Sequence, residues 1–497
     1  MRILLVNPKT EMSNRAVSLP LGLLSIASFL SANGHTVRLL DRTVELQPIL
    51  ETARSFMPDI VGVSLISYKM LEDALFVSGF FKKAGLPVIW GGPTASTLPK
   101  AVLNNDCVDA VSIGEGEETW LDLANAYAAG TPDLFSIPGL ALRGDGGETV
   151  FTPERPFLDL AGLPETDWSF VDVEKYFQTS YGCKRMLYLY ASKGCPFSCV
   201  FCYNKEFHRC TYRKRPLEQL LNEIKYLVTN HRMDGVYFAD ELWCRSRSEM
   251  REICDALRGL DLDFIWGCQT RIGIFDQEDF EYMFRSGCRW MFFGVESGSK
   301  RVLQMMNKRL AYDKVESTFA ACKRAGIVTI GSFIAGFPGE TPEDLRETVA
   351  MIERLDTTLI NLNFFIVMPG SDIYRRLVEE GLYPEITDLH RLEEEDFMLR
   401  MANNYSEVPM RDLRVVQSWY MWRSFSSGHI NVGGKDASFT KKVISDAFKS
   451  LRSGTLRDFL RSTWYAVKEF SIIAYFAHAY PGIRKKYGIP GRRARRG

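Results

Sequence analysis

Three thiols lie within eight residues, Cys195, Cys199 and Cys202, in the run Lys193-Gly-Cys-Pro-Phe-Ser-Cys-Val-Phe-Cys-Tyr203. Thiolates this close form a single chelating loop, and the loop reads as the ligand set of an iron–sulfur cluster. A cubane [4Fe–4S] cluster normally takes four thiolates, so three with no nearby fourth leave one iron open to another molecule. That opening points to chemistry rather than electron storage. Zinc and a redox disulfide are the alternatives. Structural zinc wants four closed ligands, commonly as two separated pairs, but Cys210 stands alone and His208 is poorly spaced for one. The remaining cysteines, Cys107, Cys183, Cys210, Cys244, Cys254, Cys268, Cys288 and Cys322, are scattered singly and read as structural thiols.

The elements that must hold this loop come in two alternating series. In the first, Arg2–Val6, Thr36–Leu40, Ile60–Ser64, Val88–Trp90 and Ala110–Ile113 are short apolar runs that predict strands, with helical periodicity between them. This βαβα order predicts a doubly wound, Rossmann-like parallel sheet over residues 1–150. Gly91-Gly92 and Gly114-Glu115 fall where such sheets bind ligands, at the carboxyl ends of the strands. A proline-containing connector spans 151–185. The second series, residues 186–385, has six predicted strands starting at Arg185–Ala191, Gly235–Ala239, Asp263–Gln269, Trp290–Val295, Val328–Ile334 and Leu359–Val367. Six β/α units predict a partial (β/α)6 barrel whose active site lies at the strands' carboxyl ends, and the three cysteines follow the first strand directly. Residues 386–497 lose the alternation and read as a helical domain rich in Trp419, Tyr420, Trp422, Trp464 and Tyr465, an aromatic pattern that signals packing.

At 497 residues and 46% hydrophobic, the chain is long enough for several cored domains without disulfides. The N-terminus runs straight into a strand and lacks signal-peptide character, so a reducing, cytoplasmic location is expected. Formal net charge is zero, yet the last seventeen residues carry seven basic groups and no acid. The apolar run Phe470–Tyr480 before them is too short for a bilayer span. It reads as a packed helix followed by a basic tail, with peripheral membrane contact as the alternative. The tail is too short to predict nucleic-acid binding.

Cys195-x-x-x-Cys199-x-x-Cys202 after the first strand of a β/α series resembles the signature of the radical S-adenosylmethionine (SAM) superfamily, and Phe201 before the third cysteine fits it. With the preceding domain, residues 1–385 resemble the cobalamin-binding-domain class (class B type) of these enzymes. The resemblance implies a cluster held by Cys195, Cys199 and Cys202, with SAM chelating the fourth iron and cleaved to a 5′-deoxyadenosyl radical by an external one-electron reductant of flavodoxin or ferredoxin type. Phe201 would lie near the adenine, and Asp240 and Glu241 would meet the methionyl amino group. Arg271 would pair with a substrate-side carboxylate or with a neighbouring acid, and Glu296 and Ser297 would contact the ribose. Gly331–Thr341 resembles the adenine and backbone-contact segment, although Thr341-Pro-Glu-Asp344 is explained as a helix N-terminus.

In the first domain, Ser64, Gly91 and Gly92 sit where this class cradles the cobalamin nucleotide tail. The Asp-x-His-x-x-Gly motif, whose histidine binds cobalt, is absent, and His35 is the domain's one histidine. The expected activity is methyl transfer to an unactivated carbon or phosphorus centre of a small-molecule, lipid or peptide substrate, through the radical and methylcobalamin. The rival outcomes are cyclisation, ring rearrangement or carbon–carbon coupling. A methylthiotransferase would need cluster cysteines in the first domain, where Cys107 stands alone. A non-catalytic iron–sulfur or zinc protein is the alternative from another class.

Overall fold

A computed structural model describes residues 1–10, 17–45, 49–130, 132–355, 357, 359–394, 403–426, 430–432, 435–437 and 473–490. The first sheet has seven strands in the order β2-β1-β3-β4-β5-β6-β7. Its parallel part is β1 (Arg2–Asn7), β2 (Thr36–Asp41), β3 (Ile60–Ser64), β4 (Val88–Gly91) and β5 (Ala110–Ser112), as the apolar runs predict. β6 (Leu140–Arg143) and β7 (Thr149–Phe151) extend it antiparallel. The periodicity misses both because they form an edge hairpin, with β7 half in solvent and little of the apolar excess that marks a buried strand.

The 151–185 connector is packed onto the first domain. Trp168 and Tyr176 are buried there, Tyr176 Oη donates to Asp41 at 2.7 Å, and the Asp167 N–H donates to Ser28 Oγ at 2.9 Å. It contributes β8 (Gln178–Ser180), which pairs antiparallel with β9 (Cys183–Leu189) and starts the second sheet.

After β9 comes a small antiparallel pair, β10 (Ser192–Lys193) and β11 (Arg213–Lys214), with the three cysteines between them. β12 (Gly235–Phe238), β13 (Ile265–Thr270), β14 (Cys288–Glu296), β15 (Val328–Ala335) and β16 (Leu359–Phe364) then complete the sheet in the order β16-β15-β14-β13-β12-β9-β8. Its six strands from β9 to β16 are parallel and joined by helices, the open (β/α)6 half-barrel that the alternation predicts. Cys183, Cys244, Cys254, Cys268, Cys288 and Cys322 are all buried in the protein, as structural thiols should be. The two sheets share apolar cores: Leu5 and Trp120 pack in one cluster with Leu187 and Phe238, and Val63 and Leu65 in another with Met306 and Phe365.

The helix Met410–Ser426 packs against β16, and His478 stands edge-on to both Trp419 and Trp422. The start of the basic tail is docked rather than loose. Lys486 Nζ and Tyr487 Oη donate to Asp412 at 2.7 and 3.0 Å, and the Arg484 guanidinium lies 4.3 Å from the centre of the Trp419 ring. Trp464, Tyr465 and the arginines at 492, 493, 495 and 496 lie outside the described residues. Among the described residues, no helix is long and apolar enough to cross a membrane.

Candidate active site

The cluster loop is shaped before any metal arrives. Gly194 precedes it with φ +80°, and a Cβ there would sit 2.4 Å from the Thr211 carbonyl oxygen, so only glycine makes this turn. Buried Asn204 then closes the loop on itself. Its Oδ1 accepts from the Cys195 N–H at 3.2 Å, and its Nδ2 donates to the carbonyls of Cys195 and Phe197 at 2.7 and 3.1 Å. From the far side, Asn307 Nδ2 donates to the Ser198 carbonyl at 2.9 Å, and the Val200 N–H bonds the Met306 carbonyl at 3.0 Å. The Asn204 and Asn307 side chains therefore fix the loop through its backbone and Ser198, while the Asn204 N–H lies 3.4 Å from Cys202 Sγ.

Burial pushes the Cys195 thiol up and the Cys202 thiol up to about 11, and the neighbouring cysteines raise both further. Lys308 favours the thiolate at both, and Arg271 does so at Cys195. Three mutually repelling thiols with cations nearby fit a cationic centre whose binding would release their protons. Among the described residues, no three His, Cys, Asp or Glu side chains converge tightly enough for a single metal ion. Thiolates on separate irons of a cubane need no such convergence.

The carboxylates at the strand ends divide sharply. Asp240, buried, accepts from the N–H groups of Ala191 and Ser192 and from Ser192 Oγ, and burial raises its pKa to about 7. It is committed to the backbone that leads into the cluster loop. Glu241 instead faces a cavity, with Oε2 accepting from the Gly194 N–H at 3.0 Å and Oε1 3.2 Å from His208 Nε2. Burial opposes its charge, but the His208 contact and the backbone donors outweigh burial and hold it below the usual carboxylate range.

Among the described residues, Arg271 pairs with no carboxylate. Its guanidinium stacks 3.6 Å from the centre of the Phe197 ring and donates to the carbonyls of Lys308 and Arg309. Glu296 ends β14 at φ +69°, a left-handed conformation that costs a non-glycine residue about 1 kcal/mol or more. Its Oε1 accepts from the buried ammonium of Lys308 at 2.7 Å. Ser297 is fully buried, bonded to Thr348 Oγ1 at 3.0 Å and accepting from the Ser299 N–H at 3.1 Å. Phe201 packs at the edge of the second apolar cluster. The expected helix N-terminus is present, with a reciprocal pair of bonds between Thr341 and Asp344 and Pro342 in the first turn.

A cavity of about 290 Å³ joins the two domains. Ser64, Gly91, Gly92, Gly114 and Glu115 line it from the first sheet, and Tyr190, Ser192, Lys193, His208 and Glu241 from the barrel. Leu5 and Trp120 form its apolar depth. Gly92, at φ +94°, passes so close to the Leu65 carbonyl that a Cβ would lie 3.0 Å from its oxygen. A Cβ on Gly91 would meet nothing nearer than 3.8 Å, so there the wall is open backbone. Ser112 Oγ, buried on this wall, has no hydrogen-bond partner among the described residues. Bare backbone, an apolar slot and a spare hydroxyl fit a large flat ligand carrying an amide-rich, heterocyclic tail.

Glu115 has another employer. It takes two contacts from Arg213, at 2.9 and 2.5 Å, and lies 3.7 Å from Lys193 Nζ, while Glu117 is 3.2 Å from the same ammonium. Burial disfavours the Lys193 charge, yet the two glutamates keep its pKa above the usual lysine value. These four side chains tie β10 and β11 to the loop after β5. His35 sits beside the Met1 amino group, at the end of the sheet away from the cavity. Among the described residues, the one imidazole on the cavity wall is His208, from the barrel. His208 follows Cys202 by six residues, but nothing in that spacing shows that it faces Glu241, and Lys308 is hidden by its distance from the cysteines in sequence.

Fold and cavity together describe two domains, a doubly wound sheet and a half-barrel, that face one shared cavity. Residues 15–124 match the B12 binding domain model and residues 189–352 the radical SAM superfamily model. The chain therefore carries a radical SAM domain and, N-terminal to it, a B12-binding domain, a pair that implies a [4Fe–4S] cluster, SAM and cobalamin as cofactors. It is 28% identical over 393 residues to an uncharacterized methyltransferase of Pyrococcus horikoshii, covering 77% of this chain and 84% of that one. It is also 28% identical over 391 residues to the anaerobic magnesium-protoporphyrin IX monomethyl ester cyclase of Rubrivivax gelatinosus, covering 76% and 70%. The fold resembles the cobalamin-dependent SAM radical enzyme OxsB solved with aqua-cobalamin and SAM bound, with a TM-score of 0.68 at 18% identity over 95% of this chain and 72% of that one.

Proposed function

We propose that this protein is a cobalamin-dependent radical SAM methyltransferase acting on an unactivated carbon, or a phosphorus, centre. The shared cavity carries the reading: the glycine turns after β4 and β5 and the residues flanking the cluster loop face one another across it. When bound, cobalamin supplies a methyl carrier and SAM on the cluster a 5′-deoxyadenosyl radical source, so both would serve one substrate position. The chain's own part is to hold and to exclude. Cys195, Cys199 and Cys202 hold the cluster, and Glu241, exposed to the cavity and kept ionised, takes the methionyl ammonium. Asp240 acts through the backbone of Ser192, and Glu115 through Arg213 and Lys193. Ser64, Gly91 and Gly92 receive the cobalamin tail, and Leu5 and Trp120 keep water from it. A small-molecule, lipid or peptide substrate and a flavodoxin or ferredoxin type reductant complete the reaction.

The likeness to an anaerobic cyclase favours a second reading, in which the same radical step ends in cyclisation without methyl transfer. Reduced, cobalamin-loaded protein incubated with methyl-labelled SAM separates the two without a known substrate. Methyl transfer predicts S-adenosylhomocysteine and label on the corrin. Label retained wholly in methionine and SAM, with 5′-deoxyadenosine accumulating, would replace this proposal with the second reading.

A further inference from the structure

Within the cavity wall, Glu241 is held in a way that distinguishes it from the other acids. Glu115 and Glu117 are pinned by the ammonium of Lys193 and the guanidinium of Arg213. Asp240 is buried and spent on backbone and Ser192. Glu241 alone among these is one-third exposed, and its side-chain partner is an imidazole. His208 Nε2 lies 3.2 Å from Oε1, and since a carboxylate can only accept, an Nε2–H is the group it would offer, while the Gly194 N–H donates to Oε2.

His208 itself is placed to do little else. Its side chain is 7% exposed, its ring stands edge-on to Phe207 at 4.8 Å between centroids, and its Nδ1 is buried with no hydrogen-bond partner among the described residues. Its backbone is anchored independently, through Asn204 and Thr211. Among the described residues, the ring's side-chain polar contact is therefore the one between Nε2 and Glu241.

We propose that His208 is a positioning residue that fixes Glu241, ionised and in one rotamer, as the seat for the ammonium group of the SAM bound at the cluster. The proposal rests on the reading of Glu241 given above. An imidazole suits this task better than a lysine or arginine. It holds the carboxylate through one N–H without placing a permanent charge beside the incoming ammonium, and it leaves the remaining lone pairs of Glu241 open to the cavity.

The test is a double-mutant cycle on the full chain with reconstituted cluster, read as the Kd of SAM by equilibrium dialysis and normalised to iron content. Glu241→Gln is expected to weaken binding by about tenfold or more, since a charge-assisted bond to the ammonium is lost. His208→Ala should weaken it by a comparable factor, and the double variant by no more than Glu241→Gln alone, because His208 acts only through Glu241. His208→Gln, which keeps an N–H donor, should restore most of the affinity. A merely structural histidine would instead give losses that multiply in the double variant and are not repaired by glutamine. Unchanged affinity in His208→Ala beside a loss in Glu241→Gln would overturn the positioning role alone. Unchanged affinity in Glu241→Gln would overturn the reading of Glu241 and the proposal with it.

Discussion

Around Gly91 and Gly114 the cavity wall is backbone and hydrocarbon, whereas around Lys193 and Glu241 it is a set of opposed charges. On the first side a ligand is admitted by what is missing: side chains that would occupy its volume. On the second side it is admitted by what is aimed at it. The difference follows from the ligands that the two domains imply. A corrin with its nucleotide tail is bulky and neutral over most of its surface, so shape and apolar contact suit it. A zwitterionic ligand on an iron site calls for polar groups in fixed places, and on the barrel side the carboxylates are held by partners, Glu296 by the Lys308 ammonium and Glu241 by the His208 imidazole. The quartet of Glu115, Glu117, Lys193 and Arg213 joins the two halves of the wall.

The division can be broken from either side. Cys199→Ala should have the largest effect, reducing iron content and SAM-derived 5′-deoxyadenosine to background while cobalt content after loading is retained. Gly91→Leu should do the reverse. Its Cβ meets no atom within 3.8 Å, so the side chain would fill the cavity without disturbing the strand, and cobalt content should fall severalfold with iron unchanged. Loss of both metals in either variant, measured by elemental analysis, would show that the seats are not separable.

Breaking the joint is expected to cost stability. Lys193→Met leaves Glu117 buried without its cation and should destabilise the folded chain by about 3 kcal/mol in thermal or denaturant unfolding, with Glu117→Gln in the same chain recovering part of the loss. Additive losses would mean that the pair is not coupled.

The smallest effect belongs to a buried acid outside both seats. Burial raises the Glu340 pKa to about 8 from 4.5, with Oε2 accepting from the Gly336 N–H and Oε1 unpaired among the described residues. The folded chain then keeps a proton that the unfolded chain releases, so stability falls as pH rises through that window. Glu340→Gln should flatten this slope, by up to about 1.4 kcal/mol per pH unit, with little change near pH 4. An unaltered slope would mean that Glu340 is ionised in the fold.

The strands that carry the site were legible because buried parallel strands are short unbroken apolar runs, and Ile60–Ser64 agrees with its predicted bounds residue for residue. β6, β7 and the β10–β11 pair were not: β7 is an edge strand, β10 and β11 are two-residue strands, and β6 is a short run that pairs antiparallel, outside the β/α alternation. Among site residues, local spacing exposed the three cysteines and the strand-end acids, since their chemistry or position is written in a few consecutive residues. It could not divide Asp240 from Glu241. Neighbours in the chain, they point one into the protein and the other into the cavity.

Read alone, the sequence determined the order of the two domains, the three-thiol loop and the absence of a cobalt-binding histidine motif, all properties of residue type and short spacing. Tertiary structure alone decided that Glu115 serves Lys193 and Arg213, that Asn204 and Asn307 shape the cluster loop, and that His208 and Lys308 reach the site. The physical reason is that pairing a buried charge is settled by which elements the fold brings within a few ångströms, and those lie up to about a hundred residues apart in the chain.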